Sequence, residues 1–426
     1  MPKSRTGPVT VALFAGGAAI GLAVAAVWGY RVLVDGAGPT TVQEDRGSIA
    51  AAEKSRSAAP EVVWEKTYGG ARIDAARRIL RWGKDGFVIA GRTRSKGQGG
   101  DDVWLVFIDA NGKETGERLV GSPDFDWLTS MIATRDGGLV LTGSRSDREI
   151  TRSAGWVVRL NAKADELWRH DFDAGDAKGT SGLTAIDELP DGGFVVAGST
   201  TVKSAGQYDG WLLRLDTDGK LLWQKTLGGA EEDALFSVVA MPDGGAVATG
   251  AHGADGQGWV LRVDGKGDTV WEHRYGGTGY DVFNAIARHP NGGFVAVGTT
   301  RSKGPAGGAA WVMRLGEKNG DVAWERLLTP VKGASANSVL ALADGGLLVA
   351  GGSIVEPGLG KEAEKAWLVR LGPDGAVLWT KVFEAAGDQN LFSAAALPDG
   401  GFAVAGFSAS KGAGEGDIWV LRLGYK

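Results

Sequence analysis

Cysteine is absent from the 426 residues. That excludes disulfides, iron–sulfur clusters and thiolate metal ligation, and leaves nothing for a lipobox to acylate. Histidine is almost as scarce. His170, His252, His273 and His289 fall in different stretches without metal-ligand spacing, so no metal site is expected. Proline, at 13 residues, is too rare for a disordered Pro- and Gly-rich chain, although glycine reaches 70 residues. A formal charge of −5, spread along the chain, gives no electrostatic argument for nucleic acid. The glycines sit mostly in DGG and GG pairs at regular places, which marks them as turn residues.

The N-terminus carries Lys3 and Arg5, then runs uncharged from residue 9 to residue 30 and ends at Arg31. As a helix that run would span about 33 Å, enough to cross a bilayer and longer than a secretory signal's apolar core. The reading favoured is an uncleaved anchor over 9–34, behind a cytoplasmic segment 1–8. The positive-inside rule then puts all that follows outside the cytoplasmic membrane. Residues 35–60 are small, polar and aperiodic, a flexible linker with a reach on the order of 30 Å.

From residue 61 onward one unit recurs seven times. A turn-then-strand marker runs from KDGFVIAG (84–91) through DGGFVVAG (191–198) to DGGFAVAG (399–406). A strand-opening tryptophan follows each: Trp104, Trp156, Trp211, Trp259, Trp311, Trp367 and Trp419, spaced 48 to 56 residues apart. Each unit divides into four short strands by alternation and turn residues; in the fourth these are 234–242, 245–252, 258–264 and 269–275. Four antiparallel strands repeated seven times predict an all-β, seven-bladed β-propeller over 61–426. The last unit stops before its fourth strand, while EVVWEKTYGG (61–70) is a fourth strand without a unit. The two chain ends are therefore expected to complete one blade, with Trp64 supplying its second tryptophan.

Five units carry a second tryptophan near the end of a hairpin: Trp168, Trp223, Trp271, Trp324 and Trp379. In DGWLLRLDTDGKLLW (209–223) the TDG turn suits a type I turn with Gly219 left-handed. Counting by parity, Trp211, Leu213 and Trp223 share one face, packed on the next blade, and Arg214 takes the other.

These segments resemble the PQQ-like (quinoprotein-type) β-propeller repeats of bacteria. The match is RLDTDGKLLW to that family's tryptophan-docking segment, with the glycine-bounded strand before it, in all seven units. The Asp-to-Gly spacing is one residue shorter than the family's, and Arg replaces its small residue. Kelch repeats have a similar period but a different Tyr-then-Trp spacing. The resemblance implies a propeller fold; the nearer branch is the non-enzymatic one, typified by the periplasmic lipoprotein of the β-barrel assembly machinery. The vicinal cysteines that many quinoprotein dehydrogenases use are missing, and no unit breaks the repeat with a convergent acid, base and nucleophile. No catalytic residue and no cofactor is expected.

Three recurrent polar features remain. Arg159, Arg214, Arg262, Arg314, Arg370 and Arg422, with Phe107 in the first unit, are expected to make structural ion pairs or carbonyl contacts between blades. Asp74, Asp126, Asp233, Asp281 and Asp388 follow the fourth strands, where loop-ordering hydrogen bonds are favoured over ligand binding. Loops between second and third strands vary in length and charge and carry Lys96, Lys203, Lys303 and Lys411. The variable loops share one face with the blade-crossing loops. That face, with the four lysines, Asp74, Asp126, Asp233, Asp281 and Trp127, is the candidate partner-binding surface. The expectation is a non-catalytic interaction scaffold tethered in the bacterial cytoplasmic membrane, its propeller on the periplasmic or extracellular side, with other envelope proteins as partners. A carbohydrate-binding propeller gripping polysaccharide and a quinoprotein-like or hydrolytic enzyme are the alternatives.

Overall fold

A computed structural model describes residues 58–98, 100–149, 151–175, 179–353 and 363–425. The expected anchor and most of the expected linker lie outside the described residues. Ala59 and Pro60, at the linker's end, already touch the ring: Ala59 packs on an apolar cluster and the Pro60 carbonyl accepts a hydrogen bond from Lys381.

Seven four-stranded antiparallel sheets make a seven-bladed propeller. In six blades the strands lie in chain order; the fourth, for example, uses Asp233–Ala240, Ala246–His252, Gln257–Val263 and Thr269–Tyr275. The seventh sets Glu61–Tyr68 beside Asp417–Gly424, with Glu61 opposite Gly424 and Tyr68 opposite Ile418. The chain ends thus complete one blade, as the truncated last repeat predicts. First strands touch one another around the ring, and the apolar clusters lie between blades; one combines Val195 and Leu212 of blade 3 with Leu235 and Leu261 of blade 4.

The glycine ending each DGGFVVAG-type segment has a specific task. Every first strand carries a one-residue bulge, such as that at Thr184 between Leu183 and Ala185. The residue before the bulge pairs with that glycine, here Gly198, which also pairs with the third-strand Trp211. A Cβ on Gly198 would overlap the Gly182 carbonyl, so only glycine lets the bulged strand approach. The bulged side chains then tie the blades: Thr129 donates to the Leu183 carbonyl at 2.8 Å, Thr184 to Leu235 at 2.7 Å and Asn284 to Ala336 at 2.9 Å.

A second bulge overturns the parity reading of the tryptophans. Leu215 pairs with Leu221, but Arg214 pairs with Trp223, so Leu222 is the extra residue. Beyond the bulge each side chain changes face. Trp223 therefore shares its face with Arg214, and Trp211 takes the opposite one with Leu213. The same shift occurs in the third–fourth hairpins of blades 1 to 6. Each blade consequently grips both neighbours. Trp259 packs on blade 3 beside Gly210 and Leu227, whereas Trp223 of blade 3 reaches forward and donates to the Gly265 carbonyl of blade 4 at 3.0 Å. Trp64 and Trp168 do likewise with Ala110 and Thr217 of the blades that follow them. Their rings lie on turn glycines: Trp64 on Gly112, Trp168 on Gly219, Trp271 on Gly320 and Trp324 on Gly375. The left-handed Gly219 (φ 76°) expected from the TDG turn is present.

Blade 1, where Gly116 stands in place of the second tryptophan, shows a paired departure. The turn it would cover, in blade 2, has Ala164 at φ 64° instead of glycine. With no indole above it, a Cβ fits. Trp82 and Phe107, 5.9 Å apart, join Ala164 in the cluster that fills the junction.

Candidate functional site

Antiparallel blades put the second–third loops and the blade-crossing loops on one face, here the upper. The first–second and third–fourth turns lie on the lower face.

The upper face rests on buried carboxylates. Asp74, Asp233 and Asp281 open first strands, Asp126 is the second residue of its own, and all four are at most 1% exposed. Each accepts the backbone N–H four residues earlier: Gly70 at 2.8 Å, Ser122 at 2.7 Å, Gly229 at 2.6 Å and Gly277 at 2.8 Å. They order the crossing loops, and burial withdraws them from the partner-binding surface to which the sequence assigns them. Asp388 stays exposed and receives the Glu364 N–H at 2.9 Å. Burial pushes the Asp281 carboxyl up, but hydrogen bonds from Ser302 and Thr300 outweigh it and hold the group below the usual range. Asp209 and Asp417 are raised instead, by burial foremost and by the neighbouring Asp233 and Asp74 charges.

Three of the four loop lysines are also drawn into the blades. Lys96 lies 4.3 Å from the centre of Trp104 and pairs with Glu117. Lys303 lies 5.0 Å from Trp311 and pairs with Glu325 at 2.8 Å; Lys411 lies 5.3 Å from Trp419 and pairs with Glu65. An ammonium between an indole face and a carboxylate is a structural clamp, so these three are not presented to a partner as free charges. Lys203 is exposed, on a backbone at φ 57°. Trp127 is half-buried: it stacks on Phe125 at 5.8 Å and donates to Asp101 at 3.0 Å, where Arg94 also pairs at 2.8 Å. The loop after the second strand of blade 2 is tied by the Thr151 N–H on Asp147 (2.7 Å) and by Arg148 on the Pro123 carbonyl (3.1 Å).

The arginine set belongs to the lower face, and its ion pairs lie within blades, not between them. Arg159, Arg214, Arg262, Arg370 and Arg422 pair with Asp136, Asp191, Asp243, Asp344 and Asp399, the aspartates of their own blades' first–second turns. Blade 5 has Asn291 at that place, and Arg314 donates to the Gly292 and Leu315 carbonyls. The side chain latches two turns of one sheet because a third-strand arginine pairs with the strand that the turn introduces. Arg159 also lies over a ring of the next blade, Phe194 at 5.5 Å.

Two carboxyl groups were not singled out in the sequence. Asp187 is half-buried on the first strand of blade 3 and accepts the Ala240 N–H of blade 4 at 2.7 Å. Burial pushes it up to about 6. The corresponding positions of the other blades are Leu80, Ile132, Val239, Ala287, Leu340 and Ala395, so strand alignment carries the signal. Glu364, beside Asn390 at 3.3 Å, is raised to about 7 by burial. Among the described residues no group of three or more His, Asp or Glu side chains is arranged to hold a metal ion. His289, in a lower cleft of about 490 Å³ with Arg314, Glu317 and Trp324, donates from Nε2 to the Gly345 carbonyl at 2.8 Å, and burial lowers its pKa.

No protein-family model matches the chain, and no curated protein matches it. Among solved structures it is similar to a protein of unknown function from Bacteroides caccae, at 16% identity over 70% of this chain and 94% of that one, TM-score 0.44. A protein of unknown function from Dyadobacter fermentans shares 15% identity over 71% and 95%, TM-score 0.47. Sqt1 from Chaetomium thermophilum, bound to the N-terminus of ribosomal protein L10, shares 11% over 86% and 100%, TM-score 0.49. The seven-bladed architecture itself is read from the chain's own sheets.

Proposed function

We propose that this chain is a non-catalytic protein-interaction platform, tethered to the bacterial cytoplasmic membrane through residues 9–34 and presenting its upper face outside the cytoplasm. The observation that carries the reading is the contrast between a repetitive ring, clamped by carboxylates and tryptophans, and upper loops that differ from blade to blade. Binding surfaces built this way draw specificity from the loops and rigidity from the scaffold. The apolar run 9–30 and the PQQ-like resemblance of RLDTDGKLLW support the tether and the non-enzymatic, quinoprotein-type assignment.

A photo-crosslinking amino acid at Arg148 or Lys203, on the upper face, should yield a discrete protein adduct in membranes, and one at Lys113 or Lys220, in lower turns, should not. Equal labelling from both faces, or none from the upper, would refute the platform. Because the chain has no cysteine, Lys203→Cys offers a single thiol; a membrane-impermeant maleimide should label it in intact spheroplasts. The Phe125–Trp127 stack beside Asp101 favours, as a second reading, a polysaccharide platform. Glycan-array binding lost in Trp127→Ala would support that alternative.

A further inference from the structure

The repeated clamps reveal what is missing in blade 4. Four blades place a glutamate beside the first tryptophan: Glu117, Glu272, Glu325 and Glu65, opposite Val106, Leu261, Met313 and Leu421. In three of them a lysine three residues past the second strand, Lys96, Lys303 or Lys411, lies on the indole and pairs with the glutamate. Where the glutamate is replaced, the lysine is not drawn in. Blade 3 has Gln224 and leaves Lys203 exposed, and blades 2 and 6 have Arg169 and Thr380 at the glutamate's place. Blade 4 alone keeps the indole and the carboxylate without the lysine. Its loop is cut to residues 253–256, and the third residue past the strand is the exposed Asp255.

At this place the structure has a cleft of about 210 Å³, lined by Trp259, Glu272, His252, Thr226, Thr269 and Arg274. Trp259 donates to Glu272 Oε1 at 3.1 Å, holding the carboxylate beside the ring as Trp104 holds Glu117. Arg274, half-exposed, reaches the same Oε1 at 3.2 Å. Among the described residues Oε2 accepts no hydrogen bond. His252 stands edge-on to the indole at 5.4 Å and is turned to Asp233 at 3.2 Å. At the corresponding position the other six blades have Thr93, Ser146, Thr200, Thr300, Ser353 or Ser408.

We infer that the blade 4 cleft is a binding site for a primary ammonium on an alkyl stem, seated between Trp259 and Glu272 where other blades seat their own lysine. The ligand is either a lysine side chain of another protein or a free alkylamine; both present the same group. Recognition rests on one charge-assisted hydrogen bond to Glu272, with the ammonium at the rim of the indole, since Trp259 is 1% exposed beside His252. The site is independent of the platform reading, since amine binding would neither require nor exclude a protein partner.

The test is calorimetric titration of the full-length chain in mild detergent with n-butylammonium and with Nα-acetyl-lysine methylamide; the norleucine analogue is the uncharged control. Both cations should bind at one site and the control should not. Glu272→Gln keeps an acceptor for Trp259, as Gln224 does for Trp211 at 2.9 Å, so the fold should hold. It should weaken binding by about tenfold or more. Lys96→Ala vacates an equivalent clamp in blade 1 and should raise the stoichiometry from one site to two. Tighter binding of the lysine derivative marks a protein-borne ligand, and equal or tighter binding of n-butylammonium marks a free amine. The inference is overturned if the cations bind no better than norleucine, if Glu272→Gln binds them as the parent does, or if Lys96→Ala adds no site.

Discussion

Single residues in this chain are intelligible chiefly by comparison with their counterparts in other blades. Gly219 and Ala164 occupy the same turn position, one beneath an indole and one without. Gly219→Ala adds left-handed strain and a clash with Trp168, and should cost about 2 kcal/mol or more. Ala164→Gly relieves strain at φ 64° and should change stability by less than about 1 kcal/mol. Denaturant midpoints check both, and similar losses at the two sites would contradict the coupling. Asp187 makes a pH prediction. Its native pKa, about 6, exceeds the ordinary carboxyl value, so between about pH 4 and 6 the native state holds a proton that the unfolded chain has lost. Stability from this group therefore falls as pH rises through that window. Asp187→Asn abolishes the dependence: its melting temperature relative to the parent should shift in its favour between pH 4 and pH 7. A pH-independent difference would exclude Asp187 as the titrating group. Glu117 has the opposite sign, because the Lys96 hydrogen bond holds it low and that stabilisation is lost on acidification.

At the scale of strands and hairpins, the bulges organise the blade. First strands are bent by one extra residue against a glycine, and the third–fourth hairpins carry another beside the arginine in blades 2 to 6 and beside Phe107 in blade 1. Gly198→Ala forces a methyl into the Gly182 carbonyl and should cost about 3 kcal/mol or prevent folding. An alanine variant with an unchanged melting temperature would show that the bulge can relax. The strands themselves were legible, since alternation and turn residues are local. The faces were less so, because one added residue reverses every side chain beyond it and no composition signal announces where it falls. Thus Gly219 was placed correctly from the turn, while Trp223 was assigned to the wrong side. Lys96, Lys303 and Lys411 read as a presented basic set because TRSKG (93–97 and 300–304) and SASKG (408–412) are polar loop segments; their indole and glutamate partners come from strands that the loop merely adjoins.

The ring as a whole is closed by eight residues from the far end of the chain. Glu61–Tyr68 pairs along Asp417–Gly424, and Glu65 also receives the Trp419 indole N–H and the Lys411 ammonium. Removing 61–66 should expose the edge of the last strand and a stretch of blade 7, producing oligomers or aggregates by light scattering. A soluble monomer of unchanged melting temperature would mean that closure does not depend on this strand. Blade number, strand type and this closure were determined by the sequence alone, because each is written in a repeat of turn glycines and alternating strands or in the repeat's two ragged ends. Which neighbour each tryptophan grips, which carboxylates are buried, and which loop lysines are drawn onto an indole and a glutamate were decided only in the tertiary structure. Those outcomes depend on register shifts and on side chains meeting across blades about fifty residues apart, and local pattern contains neither.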